Sequence, residues 1–511
     1  MSRAAWAIAL AAFLTFVFTG GGRITGSDEL AQLELARALL HGRIDVPEGA
    51  TMRGPDGRTY TKNTWGQAIL ALPLVAAGSA AASIARFHAE RAELASRFVA
   101  SFFNGIVAAA LLAAAYAVMR SFRLASRASL AGTVALGFTT PLWVSAKGFA
   151  GEPVEALGLL LALGGAARAG AAASPEEQRR ATWWAGLGAF LAIFVKLSVT
   201  PIVLACLTAI GFRKVRAWTI PLLGIAASFA THACYNWMRF GNAVTTGYGS
   251  QQSVEAFSTP LQVGVAGLLF SSGKGVAWFA PILLLAPLGV ALMTRGRQSS
   301  DAPPTGSRGA GWAIVAAWVV ALIIYGSFQH WAGDGSWGPR YLVPVLPLAA
   351  LAVGFALEGA TRALAWAARL LALAGLVVTL GGVGIYFGAE MREVGDYPYT
   401  LPLEDPRFMH ESHWEWRQSP ILVHWRMLSR NVAEHVRGQA PVLGQQGAVD
   451  PRTGITPGEE RSLLHAIDVW WLYAGYAGIP KLPLALAALA LLGASIWAWM
   501  RAWHVVREDT A

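Results

Sequence analysis

Two adjacent carboxylates follow the first apolar run of the chain. The run "AAWAIALAAFLTFVFTG" (residues 4–20) is followed by "GSDEL", which contains Asp28 and Glu29. Ser27 is a good N-cap residue, and acids in a first helical turn suit the positive end of the helix dipole. Carboxylates at this point can also serve as general bases. The remaining polar segments must decide between a capping role and a chemical one.

Other polar segments also place charged and aromatic side chains between apolar runs. Acids recur at Glu152 and Glu155 in "KGFAGEPVEALG", at Glu255, and at Asp334 in "HWAGDGSWGPRYLVP". Ionisable groups near membrane depth are costly and usually functional. Cationic and aromatic residues also lie in these polar segments between apolar runs, namely Tyr60, Lys62, Arg239, Tyr248, Lys274, His330, Trp337, Arg340 and Tyr341.

Composition identifies the class of protein. The chain has 511 residues, of which 55% are hydrophobic and 14% charged, and its mean hydropathy is +0.46. A soluble domain carries about 25% charged residues, whereas apolar runs near the roughly 20 residues of a membrane span recur here. We therefore expect an all-α polytopic membrane protein. Cys206 and Cys234, the only cysteines, lie inside apolar runs, so we expect no structural disulfide.

The net charge of +10 does not indicate nucleic-acid binding, because the basic clusters fall between apolar runs. This is the distribution of cytoplasmic loops under the positive-inside rule. Residues 21–65 are then outside, and spans are predicted near 4–20, 98–119, 128–147, 153–172, 182–196, 198–212, 217–235, 275–294, 310–329, 341–358, 362–386 and 482–503. The total is about 12 (11–13) transmembrane helices.

Three further segments are not assigned as spans. The stretch 66–84 contains Pro73 and would break the alternation, so we expect it to lie at the outer face or re-enter there. Residues 27–40 have helical spacing typical of a short interfacial helix. Residues 387–480 are polar and rich in aromatic residues, which predicts a small outer domain.

The expected organisation therefore has three regions. Residues 1–386 form the transmembrane region, with an outer loop at 21–97. The outer domain follows at 387–480, and residues 481–511 form the last span and a cytoplasmic tail. In this arrangement the acids and cations gather on the outer face, which predicts one outward-facing reaction site.

The layout resembles a known family. A first span, "DE" at the start of an outer helix, and "YTK" before "GQAILALP" resemble the GT-C superfamily of membrane glycosyltransferases, which includes protein O-mannosyltransferases and the lipid A aminoarabinose transferase. The later motifs "YNWMRFGNAVTTGY" (235–248), "GLLFSSGKGVAWFAP" (267–281) and "WGPRYLVPVLPL" (337–348) are similar to those of bacterial proteins grouped with these enzymes. The resemblance covers most of residues 1–390 and implies a GT-C-like bundle in the cytoplasmic (inner) membrane, with its active site facing the periplasm or exterior.

The resemblance also implies roles for residues. Asp28 matches the first-loop acid of the family, a base or metal ligand, with Glu29 as its neighbour. Glu152 matches the acid of the second loop. Lys62 matches the lysine that meets the phosphate of the lipid carrier in the lipid A transferases. A divalent cation at Asp28 and Glu29 is compatible with this pattern, and no nucleotide cofactor is expected.

The chemistry of a polyprenyl-phosphate sugar fits the same residues. Transfer needs a carboxylate to take the proton of the acceptor and cations to hold the leaving phosphate. Arginine clamps phosphate with two parallel hydrogen bonds, and lysine supplies a point charge. Carrier-binding candidates are Lys62, Lys274, Arg340, Arg239 and Tyr341. Substrate-binding candidates are Tyr60, Tyr248, Trp337, His330 and Asp334.

Each motif also has a simpler interpretation. Lys274 in "SSGKG" could reach lipid headgroups while its glycines form a turn, because the segment lacks the spacing of a nucleotide loop. Trp337, Arg340 and Tyr341 could form an interfacial belt and anchor, and so could the 235–239 segment. His330 with Asp334 is a weaker candidate for a metal site.

Three function classes remain open on the sequence. The first is a glycosyltransferase that uses a polyprenyl-phosphate sugar and a cell-envelope glycan, lipid or protein as acceptor. The second is a polymer ligase or polymerase that acts on polyprenyl-diphosphate substrates through Arg and His in residues 410–437. The third is a lipid-linked-sugar flippase or transporter, for which inverted repeats and charges at the membrane midplane would be expected.

Overall fold

The computed structural model describes residues 2–47, 51–86, 89–249, 253–295, 306–333, 335–394, 413–442 and 463–508. Within these ranges the regular secondary structure is helical except for one two-stranded hairpin. The first half contains α1 (Arg3–Thr19), α2 (Ser27–Leu40), β1 (Thr51–Arg53), β2 (Thr59–Thr61), α3 (Gly66–Ile84), α4 (Ala89–Ala100), α5 (Phe103–Ser121), α6 (Ser126–Phe138), α7 (Leu142–Ser145), α8 (Glu152–Ala171), α9 (Pro175–Val195), α10 (Thr200–Leu207) and α11 (Thr219–Phe240).

The second half continues with shorter and longer helices. They are α12 (Leu261–Phe270), α13 (Val276–Phe279), α14 (Ala286–Arg295), α15 (Ser307–Ser327), α16 (Leu346–Leu357), α17 (Arg362–Gly384), α18 (Phe387–Glu393), α19 (Pro420–Val436), α20 (Trp470–Tyr476) and α21 (Lys481–Glu508). Turns of 3₁₀-helix extend several of them, notably Leu197–Val199, Thr208–Ile210, Val215–Trp218, Pro281–Leu285 and Arg340–Val345.

Helices of membrane-spanning length and composition dominate the described ranges. Eight segments qualify, namely Gly66–Ile84, Ala92–Ser121, Glu152–Ala171, Val215–Phe240, Ser307–Ser327, Arg340–Leu357, Arg362–Gly384 and Lys481–Glu508. Four shorter apolar helical segments accompany them, namely Arg3–Thr19, Leu197–Ile210, Leu261–Phe270 and Pro281–Arg295. The expected all-α membrane architecture is confirmed, while the number of crossings stays a prediction.

The predicted short helix at 27–40 is present as Ser27–Leu40. Two predicted spans, however, are not continuous helices. The 128–147 run is divided into α6 and α7 at "TTP", because proline disfavours helical geometry in the residue before it. The 275–294 run is broken at Ala280, where φ is −144° before Pro281.

The stretch 66–84 forms one uninterrupted helix with Pro73 inside it. Its length and composition satisfy those of a span, and they do not distinguish a crossing from a re-entrant helix. The expectation that it stays on the outer side therefore remains a prediction.

Helices α8 and α9 form a hairpin whose backbones touch. A Cβ atom on Gly188 would lie 2.3 Å from the amide nitrogen of Ala162, and one on Gly165 would lie 2.4 Å from that of Ala185. Small residues allow membrane helices to approach this closely. Because the hairpin is antiparallel, the start of α8 at Glu152 lies at the same end as Lys196, which directly follows α9.

Helices α18, α19 and α20 pack on one another over a small apolar cluster that includes Ile385, Val423 and Met427. The chain leading into α20 is hydrogen-bonded to the end of α1, since the Trp470 amide donates to the Gly20 carbonyl at 2.8 Å. The indole of Trp471 donates to the Phe18 carbonyl at 3.0 Å. These bonds tie the segment before the last helix to the first helix of the chain.

A buried group of three charges lies at this junction. Asp468 accepts from Arg23 Nη2 at 2.7 Å and from Lys147 Nζ at 3.0 Å, and all three side chains are at most 10% exposed. Burial raises the pKa of Asp468, but the two cations outweigh it and hold the pKa below its ordinary value. The guanidinium of Arg23 also lies 4.4 Å from the ring centre of Tyr386. The carboxylate of Asp468 therefore compensates two buried cations at once.

We predict that Asp468→Asn lowers the free energy of unfolding by about 3–5 kcal/mol, because it leaves two buried cations without a counter-charge. The matched control is Glu393→Gln, which removes a half-exposed pairing with Arg430 and should cost at most about 1 kcal/mol. Thermal unfolding in detergent measures both. Equal, small losses in the two variants would contradict a structural role for the buried group.

We also predict the orientation of the chain by cysteine labelling. In a background with Cys206 and Cys234 replaced by alanine, Arg58→Cys and Val436→Cys should react with an impermeant thiol reagent applied from outside. Ser121→Cys, which lies beside the predicted cytoplasmic cluster, should react only after permeabilisation. All three positions are exposed in the structure. Labelling of position 121 alone in intact cells would reverse the orientation.

Candidate active site at the start of α2 and α8

Asp28 lies in the first turn of α2 and faces the end of the β-hairpin. Its Oδ1 is 3.0 Å from Lys62 Nζ, and each side chain is about one-third exposed. Lys62 directly follows β2, whose residue Thr61 pairs with Thr51 of β1. The alternative N-cap role of Ser27 is not observed, because Gly26 occupies that position and no side chain caps the helix. The Asp28 carboxylate thus pairs with a cation from another element.

The electrostatics of Asp28 depend on two cations. Partial burial raises the pKa of its carboxyl group, but the positive charges of Lys62 and Arg340 lower it by more, and the resulting pKa lies below the ordinary value. Asp28 is therefore an ionised carboxylate at neutral pH, with a basicity that depends on how strongly the cations are engaged.

Glu29 points in a different direction from Asp28. Its Oε1 accepts a hydrogen bond from the Phe149 amide at 2.9 Å. Burial raises the pKa of Glu29 and the negative charge of Glu152 adds to this effect, while hydrogen bonds from the backbone and the charge of Arg340 oppose it. The resulting pKa is above the ordinary value. The two adjacent carboxylates are thus held in different electrostatic environments.

Glu152, the first residue of α8, forms an ion pair with Arg340. The Glu152 side chain is almost fully buried, and that of Arg340 is about 30% exposed. Arg340 follows Gly338, whose φ of +67° suits glycine. The charge of Arg340 also acts on Asp28 and Glu29. The Arg340 guanidinium therefore interacts with carboxylates of both predicted acidic segments, by an ion pair in one and electrostatically in the other.

Two further predicted residues, Arg239 and Tyr248, support the segment that carries Lys62. Arg239 Nη1 donates to the Thr61 carbonyl, and its guanidinium lies 3.9 Å from the ring centre of Tyr235. Tyr248 donates to Asn63 Oδ1 at 2.8 Å. Arg239 is buried, and its contacts hold the backbone on both sides of Lys62.

Tyr60 closes the hairpin by donating to Asp56 Oδ2 at 2.6 Å. Burial and the neighbouring Asp56 carboxylate raise the pKa of Tyr60 to about 12, so the phenol stays protonated and remains a hydrogen-bond donor. Its predicted contact with substrate stays a prediction.

Tyr341 directly follows Arg340 and stacks on Tyr325, with ring centres 4.8 Å apart and planes 5° from parallel. Lys196 Nζ lies 5.2 Å from the centre of the Tyr341 ring. Lys196 and the nearby Glu155 were not among the predicted site residues. A lone lysine inside the apolar run "AIFVKLSVT" is the sequence signal that would have identified Lys196.

Lys274 and Trp337 form a second, fully buried group. Lys274 Nζ donates to the Ser336 carbonyl and lies 5.3 Å from the ring centre of Phe387. Trp337 packs edge-on against Phe279 at 4.8 Å. The structure thus holds Lys274 as a buried amine behind the 336–340 loop, and its predicted contact with phosphate stays a prediction.

The structure describes His330, a predicted site residue, and histidines of the 410–437 segment. His330 lies beside the ring of Phe328, at 5.5 Å, while its predicted partner Asp334 lies outside the described residues. His413 and His424 are buried. Burial lowers the pKa of His424 to about 4, although its Nδ1 is hydrogen-bonded with the Gly381 carbonyl at 3.1 Å.

Metal ligation was left open by the sequence. Among the described residues, no group of three or more His, Cys, Asp or Glu side chains is arranged to hold a metal ion. Asp28 engages Lys62 while Glu29 engages the Phe149 amide, so this conformation does not present the two carboxylates together to a cation.

The described helices form a multi-pass α-helical membrane protein, and its fold matches that of a GT-C membrane protein of known structure. The structure is similar to the crystal structure of ArnT from Cupriavidus metallidurans bound to undecaprenyl phosphate, with a TM-score of 0.51 and 13% sequence identity. The similarity covers 90% of this chain and 84% of that chain.

The apo structure of the same ArnT aligns over 98% of this chain and 75% of that chain, with 12% identity and a TM-score of 0.49. No family model matches the chain. No curated protein matches it by sequence either.

Proposed function

We propose that the protein is a membrane glycosyltransferase. It transfers a sugar from a polyprenyl-phosphate-linked donor to a glycan, lipid or protein acceptor of the cell envelope, at the outer face of the cytoplasmic membrane. The observation that carries the proposal is the joining of Asp28, Lys62, Glu152 and Arg340 into one charged cluster. The similar ArnT structure holds undecaprenyl phosphate, which supports a carrier lipid of this class.

The cluster contains groups suited to each part of such a transfer. Lys62 and Arg340 bind the phosphate and stabilise the charge that it gains as it leaves. Asp28 accepts the proton of the acceptor hydroxyl. The acceptor oxygen bonds to C1 of the sugar, the bond from C1 to the phosphate oxygen breaks, and its electron pair leaves with the polyprenyl phosphate.

Binding of the donor also prepares the base. Before binding, Lys62 lies against Asp28 and lowers the pKa of its carboxyl group. A phosphate that competes for Lys62 weakens this pairing, so the carboxylate becomes more basic when a substrate is present. Opposite charges within about 4–6 Å shift a carboxyl pKa downward, and removing one reverses the shift.

The remaining residues orient these groups. Glu152 holds Arg340 by their ion pair, while Glu29 joins α2 to the 146–151 loop through the Phe149 amide. Arg239 and Tyr248 position the Lys62 segment by bonding the residues on either side of Lys62. We place Tyr60, Tyr341, Trp337 and His330 around the donor and acceptor as predicted from the sequence.

We predict that Asp28→Asn lowers sugar transfer by about 10²–10⁴-fold, because an amide cannot accept the proton. Transfer is measured as the release of undecaprenyl phosphate from undecaprenyl-phosphate sugars, with a cell-envelope extract supplying the acceptor. Glu34→Gln is the matched control, since Glu34 lies on the same helix and pairs only locally with Arg37. Thermal stability is recorded for both. Wild-type turnover in Asp28→Asn would exclude Asp28 as the base.

A second prediction concerns the pH dependence of kcat/KM. Because Lys62 lowers the pKa of Asp28, the wild-type carboxylate stays ionised to a pH below its ordinary range. Lys62→Met removes this effect, the pKa rises, and the acidic limb of the profile should move to higher pH while donor KM increases. Arg58→Met, in the same hairpin, should leave the limb in place. An acidic limb that stays at the wild-type pH in Lys62→Met would show that Lys62 does not affect the pKa of the base.

A further inference from the structure

Glu155 and Lys196 lie beside the charged cluster but have no role in the chemistry proposed above. Glu155 follows Glu152 by three residues on α8, so both occupy nearly the same helix face. Lys196 directly follows α9 in an extended conformation, with φ −152° and ψ 116°. The contact of α8 with α9 brings these two residues to the same end of the hairpin.

Glu155 is a buried carboxylate without a complete set of partners. Its side chain is about 1% exposed, and its Oε2 accepts no hydrogen bond from any described residue. Its strongest charged neighbours are Lys196, Glu152 and Arg340. A buried acceptor that lacks a partner carries a desolvation cost that a ligand can recover.

Lys196 is the cation with the strongest electrostatic effect on Glu155, yet the two side chains do not form an ion pair within 4 Å. The ammonium of Lys196 instead lies over the stacked rings of Tyr325 and Tyr341, 6.0 and 5.2 Å from their centres. Glu155 is buried, whereas Lys196 is partly exposed. A purely structural pair is expected to close into direct contact, because separation leaves the buried Glu155 charge desolvated without its partner. The separation leaves one acceptor and one donor for a third group.

The position of this pair indicates which group that is. Arg340, a proposed phosphate ligand, forms an ion pair with Glu152, which lies one helical turn before Glu155. Arg340 also directly precedes Tyr341, over whose ring Lys196 lies. Tyr248 acts on Glu155, Lys196 and Asp28. A phosphate at Arg340 brings the two groups bonded to it, the sugar ring and the polyprenyl chain, close to Glu155 and Lys196. A carboxylate and an ammonium group suit the hydroxyl-bearing sugar ring and not the apolar chain.

We propose that Glu155 and Lys196 form the subsite for the donor's sugar ring, with the Tyr325–Tyr341 stack as its wall. The inference rests on the proposed function and adds the part of the donor that these residues bind. The Glu155 carboxylate accepts hydrogen bonds from ring hydroxyl or amino groups, and the Lys196 ammonium donates to a hydroxyl oxygen. These two residues therefore determine sugar specificity rather than carrier affinity.

The test compares the bare carrier lipid with carrier lipids that bear different sugars. Native mass spectrometry of the purified protein in detergent measures binding of undecaprenyl phosphate and of undecaprenyl phosphates carrying glucose, galactose, mannose or arabinose. Wild type should bind at least one sugar-bearing lipid more tightly than the bare carrier. Glu155→Gln and Lys196→Met should each reduce this advantage by about tenfold or more, with binding of the bare carrier unchanged within about twofold.

The controls distinguish a loss of sugar recognition from a general effect of altered charge or folding. Arg168→Gln and Glu176→Gln alter exposed charged residues on the same two helices and should leave both affinities unchanged. Glu155→Asp keeps the charge but withdraws the carboxylate by one methylene, so it should also lose the sugar advantage if the contact is direct. Thermal stability is recorded for every variant.

Each outcome decides a separate point. Equal losses for bare and sugar-bearing lipid would overturn the subsite and assign both residues to the carrier site or to folding. Absence of any sugar advantage in wild type would also overturn it. Failure of wild type to bind either lipid would reject the proposed function itself.

Discussion

The ion pair between Glu152 and Arg340 joins parts of the chain that are 188 residues apart. Glu152 begins α8, and Arg340 begins the helical segment that continues into α16. Glu152 is almost fully buried, and in the low dielectric at the end of a membrane bundle its charge is costly without its partner. The pair therefore requires α8 and the 338–345 segment to meet. Asp28, Glu29 and Glu155 are all within the electrostatic influence of the same guanidinium.

A second buried group stabilises the loop behind this pair. Lys147 donates to Asp468 Oδ2 and to the Asp468 carbonyl, and Arg23 completes the group. Phe149, two residues after Lys147, supplies the amide that holds Glu29. The segment before the last helix is thereby connected, through one short loop, to a carboxylate of the candidate site. A change at Asp468 is expected to reach Glu29 without touching any proposed substrate.

The candidate site contains both positively and negatively charged side chains, which suits a charged lipid. Two acids are neutralised by Lys62 and Arg340 in the structure described here. Under the proposed function, an arriving phosphate competes with those acids for the same cations, so binding and activation of the base are one event. A protein that only anchored lipid headgroups would not need a buried carboxylate such as Glu155 beside these cations.

Much of this could be predicted from the sequence, because hydropathy, charge distribution and helical spacing are local properties. The membrane class and the helix at residues 27–40 follow from them. The roles of Asp28, Glu152 and Lys62 came from the resemblance to the GT-C superfamily, and together with that of Arg340 they stay predictions. The interruption of the 128–147 and 275–294 runs was signalled by Pro141 and Pro281, but apolar composition alone concealed it.

Only the tertiary structure decided which charges meet. Asp28 and Glu29 are neighbours in sequence, yet one engages Lys62 and the other the Phe149 amide. Lys274 and Arg340 both occur in glycine-containing polar motifs, yet one is enclosed behind Ser336 and the other pairs with Glu152. Glu155 and Lys196 come together because glycine allows α8 and α9 to touch. Such pairings depend on contacts between distant segments, and the composition of neither segment specifies them.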